Sequence, residues 1–250
     1  MVKKWTLGNC VIGIAASFVS IWSTSESIAA PPMALGDAEV VPFGGWEVWL
    51  SFAYKESGDH EKAYKTPTFE IIYGILPRLE LGVEATYIVE SGDDGTTDGI
   101  DAVAIQPKLL LLKETERIPA VTTSLMFEMG SNEDKDSLDW EKRVWAPSLA
   151  LQKHFGKVLA ITQVKYYDDD KWRYGMDVMY AATESLKLVG EVYGQTFVNS
   201  ENRGEVNFRL GFKYSFTEYA KFYFAGGRSF LPAKANRPLF EAVTGLMIEF

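Results

Sequence analysis

Apolar and polar residues alternate along most of this chain with a period of two. In 44–55, Trp46, Val48, Leu50, Phe52 and Tyr54 share one face, while Glu47, Ser51 and Lys55 take the other. The same alternation runs through 69–75, 79–89, 121–129, 172–182, 206–216 and 240–250, and no charged residue falls on the apolar face of any of them. Strict alternation over this length predicts β-strands, because successive strand side chains point to opposite faces. Less regular stretches at 100–112, 143–153, 158–167, 186–198 and 219–229 complete a set of about twelve. In 186–198 the face is ambiguous, because Glu191 and Gln195 share it with Val189 and Phe197.

Strand length narrows the class. Strands of soluble proteins commonly hold about five or six residues, whereas a tilted strand crossing a bilayer needs about nine to eleven. Most segments here reach the longer range. The connections agree: 56–66, 91–99, 130–142, 168–171, 199–204 and 230–238 are mostly polar, and tight joints fall between them at 76–78, 113–119, 154–157, 183–185 and 216–218. Alternation of long loops with short turns is the habit of a membrane barrel, and an even strand number puts both ends on the periplasmic side. Trp145, Trp172, Tyr174, Tyr166 and Tyr87 fall near loop-side strand ends, and Trp46, Phe216, Tyr219 and Phe250 near turn-side ends. Two aromatic girdles are expected from that placement. The fold class is all-β: a transmembrane antiparallel up-and-down β-barrel of about twelve strands over residues 44–250. Pro107 and Pro147 fall inside strands of a sheet with no free edge, so a bulge or a local ladder break is expected at each. A hairpin that fails to span would lower the count to ten.

Residues 1–30 carry a different pattern. Lys3 and Lys4 precede an apolar run from about Trp5 to Trp22, and the stretch closes on Ile28-Ala29-Ala30. This is the layout of a secretory signal peptide cleaved near Ala29 or Ala30; the run is also long enough for an uncleaved anchor helix. Residues 31–43 are then expected to be a periplasmic N-terminal segment. Cleavage removes Cys10, the only cysteine, and leaves 23 basic against 33 acidic residues, a net charge of −10 compared with −9 for the whole chain. Disulfide and thiolate chemistry would leave with it, and an acidic chain argues against nucleic acid as a partner.

At the C-terminus, Gly245-Leu-Met-Ile248-Glu-Phe250 resembles the terminal assembly signal of bacterial outer-membrane barrels, although Val243 stands where a polar residue is usual. Gly245, Ile248 and Phe250 carry the resemblance, which implies delivery to the barrel-assembly machinery. A second resemblance covers about 44–112. Its centre is Pro67-Thr-Phe-Glu-Ile-Ile-Tyr73-Gly74-Ile-Leu-Pro77-Arg78-Leu-Glu-Leu-Gly82. This is similar to the outer-membrane transporter family named for the meta-pathway of phenol degradation, in which a strand ending in Tyr-Gly-hydrophobic meets a tight turn. The resemblance implies a barrel in the bacterial outer membrane with a transport role, and no catalytic residue.

The remaining chemistry is sparse. His60 lies in the first loop and His154 in a turn, so no Ser-His-Asp or metal-ligating set can be drawn and no cofactor is expected. Acidic clusters at 93–94, 133–136 and 168–170 could hold divalent cations among lipopolysaccharide phosphates, but they lack calcium-loop spacing and read more simply as solvated loops. Charge facing lipid at the midplane costs about 2–4 kcal/mol for a basic residue. Glu80, Glu84, Arg173, Asp177, Glu191, Arg209, Lys213 and Lys221 are therefore expected in the lumen. Acidic residues lead on the early strands and basic ones on the last, which predicts either a field across a water-filled pore or a set of pairs that plugs it. The leading function is passive passage of small molecules, hydrophobic or aromatic ones by the family's name. A non-conducting envelope barrel and a lipid-modifying enzyme are the alternatives, and outer-membrane lipid, lipopolysaccharide and a small solute are the expected partners.

Overall fold

The computed structural model describes residues 35–57, 62–92, 95–131, 137–168, 170–197, 204–230 and 238–250. Residues 1–30, on which the signal-peptide expectation falls, His60, Asp93-Asp94, residues 133–136 and Asp169 lie outside them.

Twelve antiparallel strands close into one barrel: β1 (Trp46–Ser57), β2 (Lys62–Leu76), β3 (Leu79–Gly92), β4 (Gly95–Leu112), β5 (Ala120–Ser131), β6 (Leu138–Phe155), β7 (Val158–Tyr167), β8 (Lys171–Ala181), β9 (Leu186–Phe197), β10 (Glu205–Ser215), β11 (Ala220–Ser229) and β12 (Pro238–Glu249). Each strand pairs with its neighbours in sequence, and β1 pairs with β12 from Glu47↔Glu249 to Ser57↔Pro238. The seam is fastened at its turn-side end, where the Trp46 amide donates to the Phe250 carbonyl (3.1 Å) and the Phe250 amide to the Trp46 carbonyl (2.9 Å). Closure leaves no unpaired edge. β4 and β6, of 18 residues each, outrun the stretches expected for them at the loop side.

The alternation translates into inside and outside as the period demands. Trp46, Phe52, Phe69, Val83, Tyr87, Leu125, Trp172, Met176, Leu210, Leu246 and Ile248 are exposed on the outer surface. Glu47, Glu80, Thr122, Ser148, Gln163, Asp177, Asn207 and Lys213 are buried inside. A large apolar exterior around a polar interior is the inverse of a soluble domain and suits a bilayer. Paired rings, Trp46 with Tyr73 at 4.3 Å and Tyr166 with Trp172 at 4.8 Å, mark the turn-side and loop-side ends. In β9 the ambiguity resolves with Val189, Glu191 and Tyr193 inside and Leu188 and Val192 outside.

Both prolines interrupt one ladder each, without a bulge. Pro107 pairs with Leu81 on β3. On the β5 side the register passes from Ile105↔Phe127 to Lys108↔Ser124 unshifted, with Gln106 and Pro107 skipped. Pro147 pairs with Leu125 on β5; on the other flank the β7 ladder stops at Ser148↔Lys165. Asp168 resumes it, its amide donating to the Trp145 carbonyl (3.0 Å) and its Oδ1 accepting from the Trp145 amide (3.0 Å). An antiparallel residue directs its N–H to one neighbour only, so a proline forfeits one flank and keeps the other. The strand count stays at twelve.

Candidate functional site

The lumen is not empty. Residues 31–43, expected in the periplasm, are described from Leu35 onward, and Leu35–Val41 runs inside the barrel. Its backbone is held by wall side chains. The Leu35 amide donates to Glu191 (3.1 Å), the Gly36 amide to Gln163 (3.1 Å), the Ala38 amide to Gln152 (3.3 Å) and the Val41 amide to Glu80 (2.5 Å). A strap at the barrel's centre cannot reach another strand's backbone, so its N–H groups need acceptors on long side chains. That requirement explains glutamates and glutamines on the inner faces of β3, β6, β7 and β9.

One ion pair reinforces the strap. Lys108 Nζ lies 2.6 Å from Asp37 and 3.0 Å from Glu80, and Thr122 donates to the Asp37 carbonyl (3.3 Å). Apolar contacts complete the seating: Ala38 packs with Leu110, Ala120 and Ala150, and Val41 with Trp49, Ile72, Tyr223 and Met247. Where the strap leaves the turn-side mouth it lies against β2. The Gly44 amide donates to the Gly74 carbonyl (2.8 Å) and the Gly74 amide to the Gly45 carbonyl (3.1 Å). A Cβ on Gly74 would sit 2.0 Å from the Pro42 carbonyl oxygen, so no other residue fits without moving the strap. Beside the strap remains a cavity of about 60 Å³ lined by Asp37, Glu70, Glu80, Gln106, Lys108 and Gln163. A larger depression, about 500 Å³, opens between Leu149, Val164, Tyr174, Met176 and Val192 on the outer face, where lipid lies.

The eight residues expected in the lumen are all on the inner face, in separate groups. Glu80 holds Val41 and Lys108. Glu84 accepts from Thr86 (3.2 Å) and is the cross-strand partner of Glu70. Asp177 and Glu191 are direct cross-strand partners. Arg209 grips Glu241 with two nitrogens at 2.7 and 2.9 Å, its Nη1 stands 3.8 Å from Glu191, and Tyr193 donates to Glu241 (2.6 Å). Lys221 pairs with Glu249 at 2.5 Å, and the Lys213 ammonium stands 5.3 Å from the Trp49 ring. Arg173 lies over the ring of Tyr167 at 5.6 Å. Lys108, Arg209 and Lys221 thus each meet a carboxylate of the strap or of a nearby strand, an arrangement of pairs such as the sequence left open beside opposed acidic and basic walls.

Several residues that matter here carry no charge alternation signal. Trp49, 1% exposed, points inward beside Tyr223 and Met247, although it sits among the aromatics of β1. Asp37 lies outside any period-two segment. Lys108 was legible by parity, since it shares the even face of β4 with Ala104 and Leu110, both buried.

Gly245 and Phe250 have structural roles. A Cβ on Gly245 would meet the Leu50 carbonyl oxygen at 2.3 Å and the Tyr223 hydroxyl at 2.4 Å, so the glycine makes room for the paired β1 backbone and for that inward ring, and Phe250 closes the seam. His154, expected in a turn, lies instead at the turn-side end of β6; its Nδ1 lies 2.8 Å from Glu114 of the β4–β5 turn, and Lys153 Nζ lies 3.2 Å from the same carboxylate. Partial burial alone would raise the Glu114 carboxyl, but hydrogen bonds from His154 and Lys153 outweigh it and hold it below its ordinary value.

Solved outer-membrane proteins share this architecture. The COG4313 outer membrane channel from Pseudomonas putida F1 matches with a TM-score of 0.62 at 16% identity, over 87% of this chain and 100% of that one. The NanC porin matches at 0.59 and 11%, over 81% and 98%, and LpxR from Salmonella typhimurium at 0.55 and 8%, over 81% and 99%. At such identities the likeness is one of fold. No curated protein sequence matches this chain. Residues 13–245 match the family described as "Putative MetA-pathway of phenol degradation", and the chain belongs to that family.

Proposed function

We propose that this protein is an outer-membrane channel for small solutes whose lumen is gated by its own residues 35–43. The observation that carries the reading is the way the strap is held. Apart from the Asp37–Lys108 ion pair, its bonds to the wall run mainly from backbone amides to Glu80, Gln152, Gln163 and Glu191, bonds that water can replace at small net cost. A segment built only to fill the barrel would be expected to join the wall ladder or to bury large side chains. From Leu35 to Val41 the strap joins no ladder, and beside Leu35 the apolar residues it buries against the wall are the small Ala38 and Val41.

The family's name and the inward Trp49–Tyr223 pair, 5.7 Å between ring centroids, favour hydrophobic or aromatic solutes. Exposure of Ile248 and Phe250 on the closing strand leaves both available to the barrel-assembly machinery, and the apolar exterior supports an outer-membrane location in contact with lipopolysaccharide.

The occluded lumen equally motivates the non-conducting alternative, and one experiment separates the two. Single-channel conductance of the refolded protein in a planar bilayer is compared with that of a variant lacking residues 31–42. The channel reading expects small conductance for the full chain, a severalfold larger one without the strap, and altered ion selectivity in the strapless Glu84→Gln variant. Silence from both forms would establish the non-conducting barrel instead.

A further inference from the structure

Inside the loop-side half of the barrel, β7 and β8 place two cations against each other. Lys165 and Arg173 are direct cross-strand partners, and both belong to the inward face. With Lys171 they surround one ring: the Tyr167 centroid is 5.8 Å from Lys165 Nζ, 5.6 Å from Arg173 Cζ and 4.2 Å from Lys171 Nζ. Like charges directly opposed across a strand pair are unfavourable, more so inside a barrel than in open water.

Three other cations of this lumen meet carboxylates: Lys108 has Asp37 and Glu80, Arg209 has Glu241, and Lys221 has Glu249; the Lys213 ammonium, buried without a hydrogen-bond partner among the described residues, stands over the Trp49 ring. Lys165 and Arg173 have none. Among the described residues no carboxylate lies within 4.0 Å of either; Glu84, Glu128 and Glu70 act on Lys165 only through space. The contact made by the Lys165 ammonium is the Met126 sulfur at 3.9 Å, a weak acceptor. The Arg173 Nε is buried with no hydrogen-bond acceptor. The Tyr167 face attracts the positive charges but offers their N–H groups no lone pair. A buried donor left without an acceptor is costly, and here an ammonium and a guanidinium on directly paired residues stand around one ring.

We propose that Lys165 and Arg173, braced on Tyr167, form a binding site for an oxyanion, the carboxylate or phosphate group of a small solute entering from the loop side. The forked guanidinium suits two oxygens of such a group, and the ammonium supplies a third contact. An anion there satisfies the unmet donors and removes the repulsion across the strand pair. The site stands whether or not the barrel conducts, because binding to the wall needs no passage through it.

The test uses the full chain folded in detergent, with thermal unfolding measured at constant ionic strength in chloride, inorganic phosphate or benzoate. Phosphate or benzoate is expected to raise the wild-type midpoint. Arg173→Gln and Lys165→Gln are expected to weaken that binding about tenfold or more, while each melts at or above the wild-type midpoint in chloride, since one of two like charges has gone. Lys157→Gln, in a turn at the other end, should leave the response intact. A response to benzoate alone assigns a carboxylate, and to phosphate alone a phosphate. Equal shifts in wild type and both variants, no shift at all, or variants that melt lower in chloride would overturn the site. Loss of conductance would bear on the channel and leave this result standing.

Discussion

Asp37 and Lys108 meet at 2.6 Å inside the barrel, joining the strap to the inner face of β4. Glu80 shares the same ammonium at 3.0 Å and also accepts from the Val41 amide. The two carboxylates are therefore unequal: Glu80 is a wall residue, and Asp37 is the strap's own anchor. Asp37→Ala should loosen the strap while Glu80 continues to neutralise Lys108, giving larger and noisier single-channel currents from a barrel that still folds. Lys108→Ala instead leaves two buried carboxylates uncompensated, a loss of about 3–5 kcal/mol measurable by urea unfolding in micelles. Unchanged currents in Asp37→Ala would show that this pair does not hold the strap.

Gly74 separates the strap's fate from the barrel's. An added Cβ meets the Pro42 backbone, which belongs to the strap exit, whereas on Gly227 it would meet the Phe208 carbonyl oxygen of the wall at 1.8 Å. Gly74→Ala is expected to raise conductance with normal refolding yield, and Gly227→Ala to depress the yield of heat-modifiable barrel on a gel. The same phenotype from both would mean that Gly74 serves the wall alone.

The inward aromatic cluster is a stability element at the turn-side end. Tyr223 is fully buried against Trp49 and Met247, and its hydroxyl lies 2.5 Å from Ser51 Oγ. Tyr223→Ala should cost about 3–5 kcal/mol through the cavity it leaves. Tyr223→Phe should cost about 1 kcal/mol for the lost hydrogen bond, unless Ser51 finds another partner. Denaturant midpoints of the two variants, taken with equal slopes, check the ratio.

The β4–β5 turn carries a pH dependence of defined sign. Glu114 accepts from the His154 amide (2.9 Å) and pairs with the His154 ring, and these bonds hold its carboxyl below its ordinary value despite partial burial. A depressed carboxylate contributes stability that is present above its unfolded value, about 4.3, and is lost as pH falls through the folded one. Hydrogen exchange at Ile118 and His154 should therefore accelerate as pH drops below about 4 relative to intrinsic rates, and Glu114→Gln should abolish the change. A turn whose protection ignores pH in the wild type would contradict the role of Glu114.

The wall of this protein was written in the sequence and its contents were not. Trp46 to Tyr54 outside and Glu47, Ser51 and Lys55 inside follow from parity alone, because a strand has a period of two and lipid tolerates no charge. Eleven of the twelve strand pairings join neighbours in sequence, so local pattern specifies them. The lumen answers to no such rule. It admits Trp49 and Tyr223 beside Glu47 and Lys213, so apolar residues there carry no directional signal. Leu35–Val41 shows no alternation because it belongs to no ladder, and its partners lie 39 to 156 residues away. Which cation meets which carboxylate, and that Lys165 and Arg173 meet none, was settled only when the sheet closed and brought the inner faces of distant strands within bonding distance.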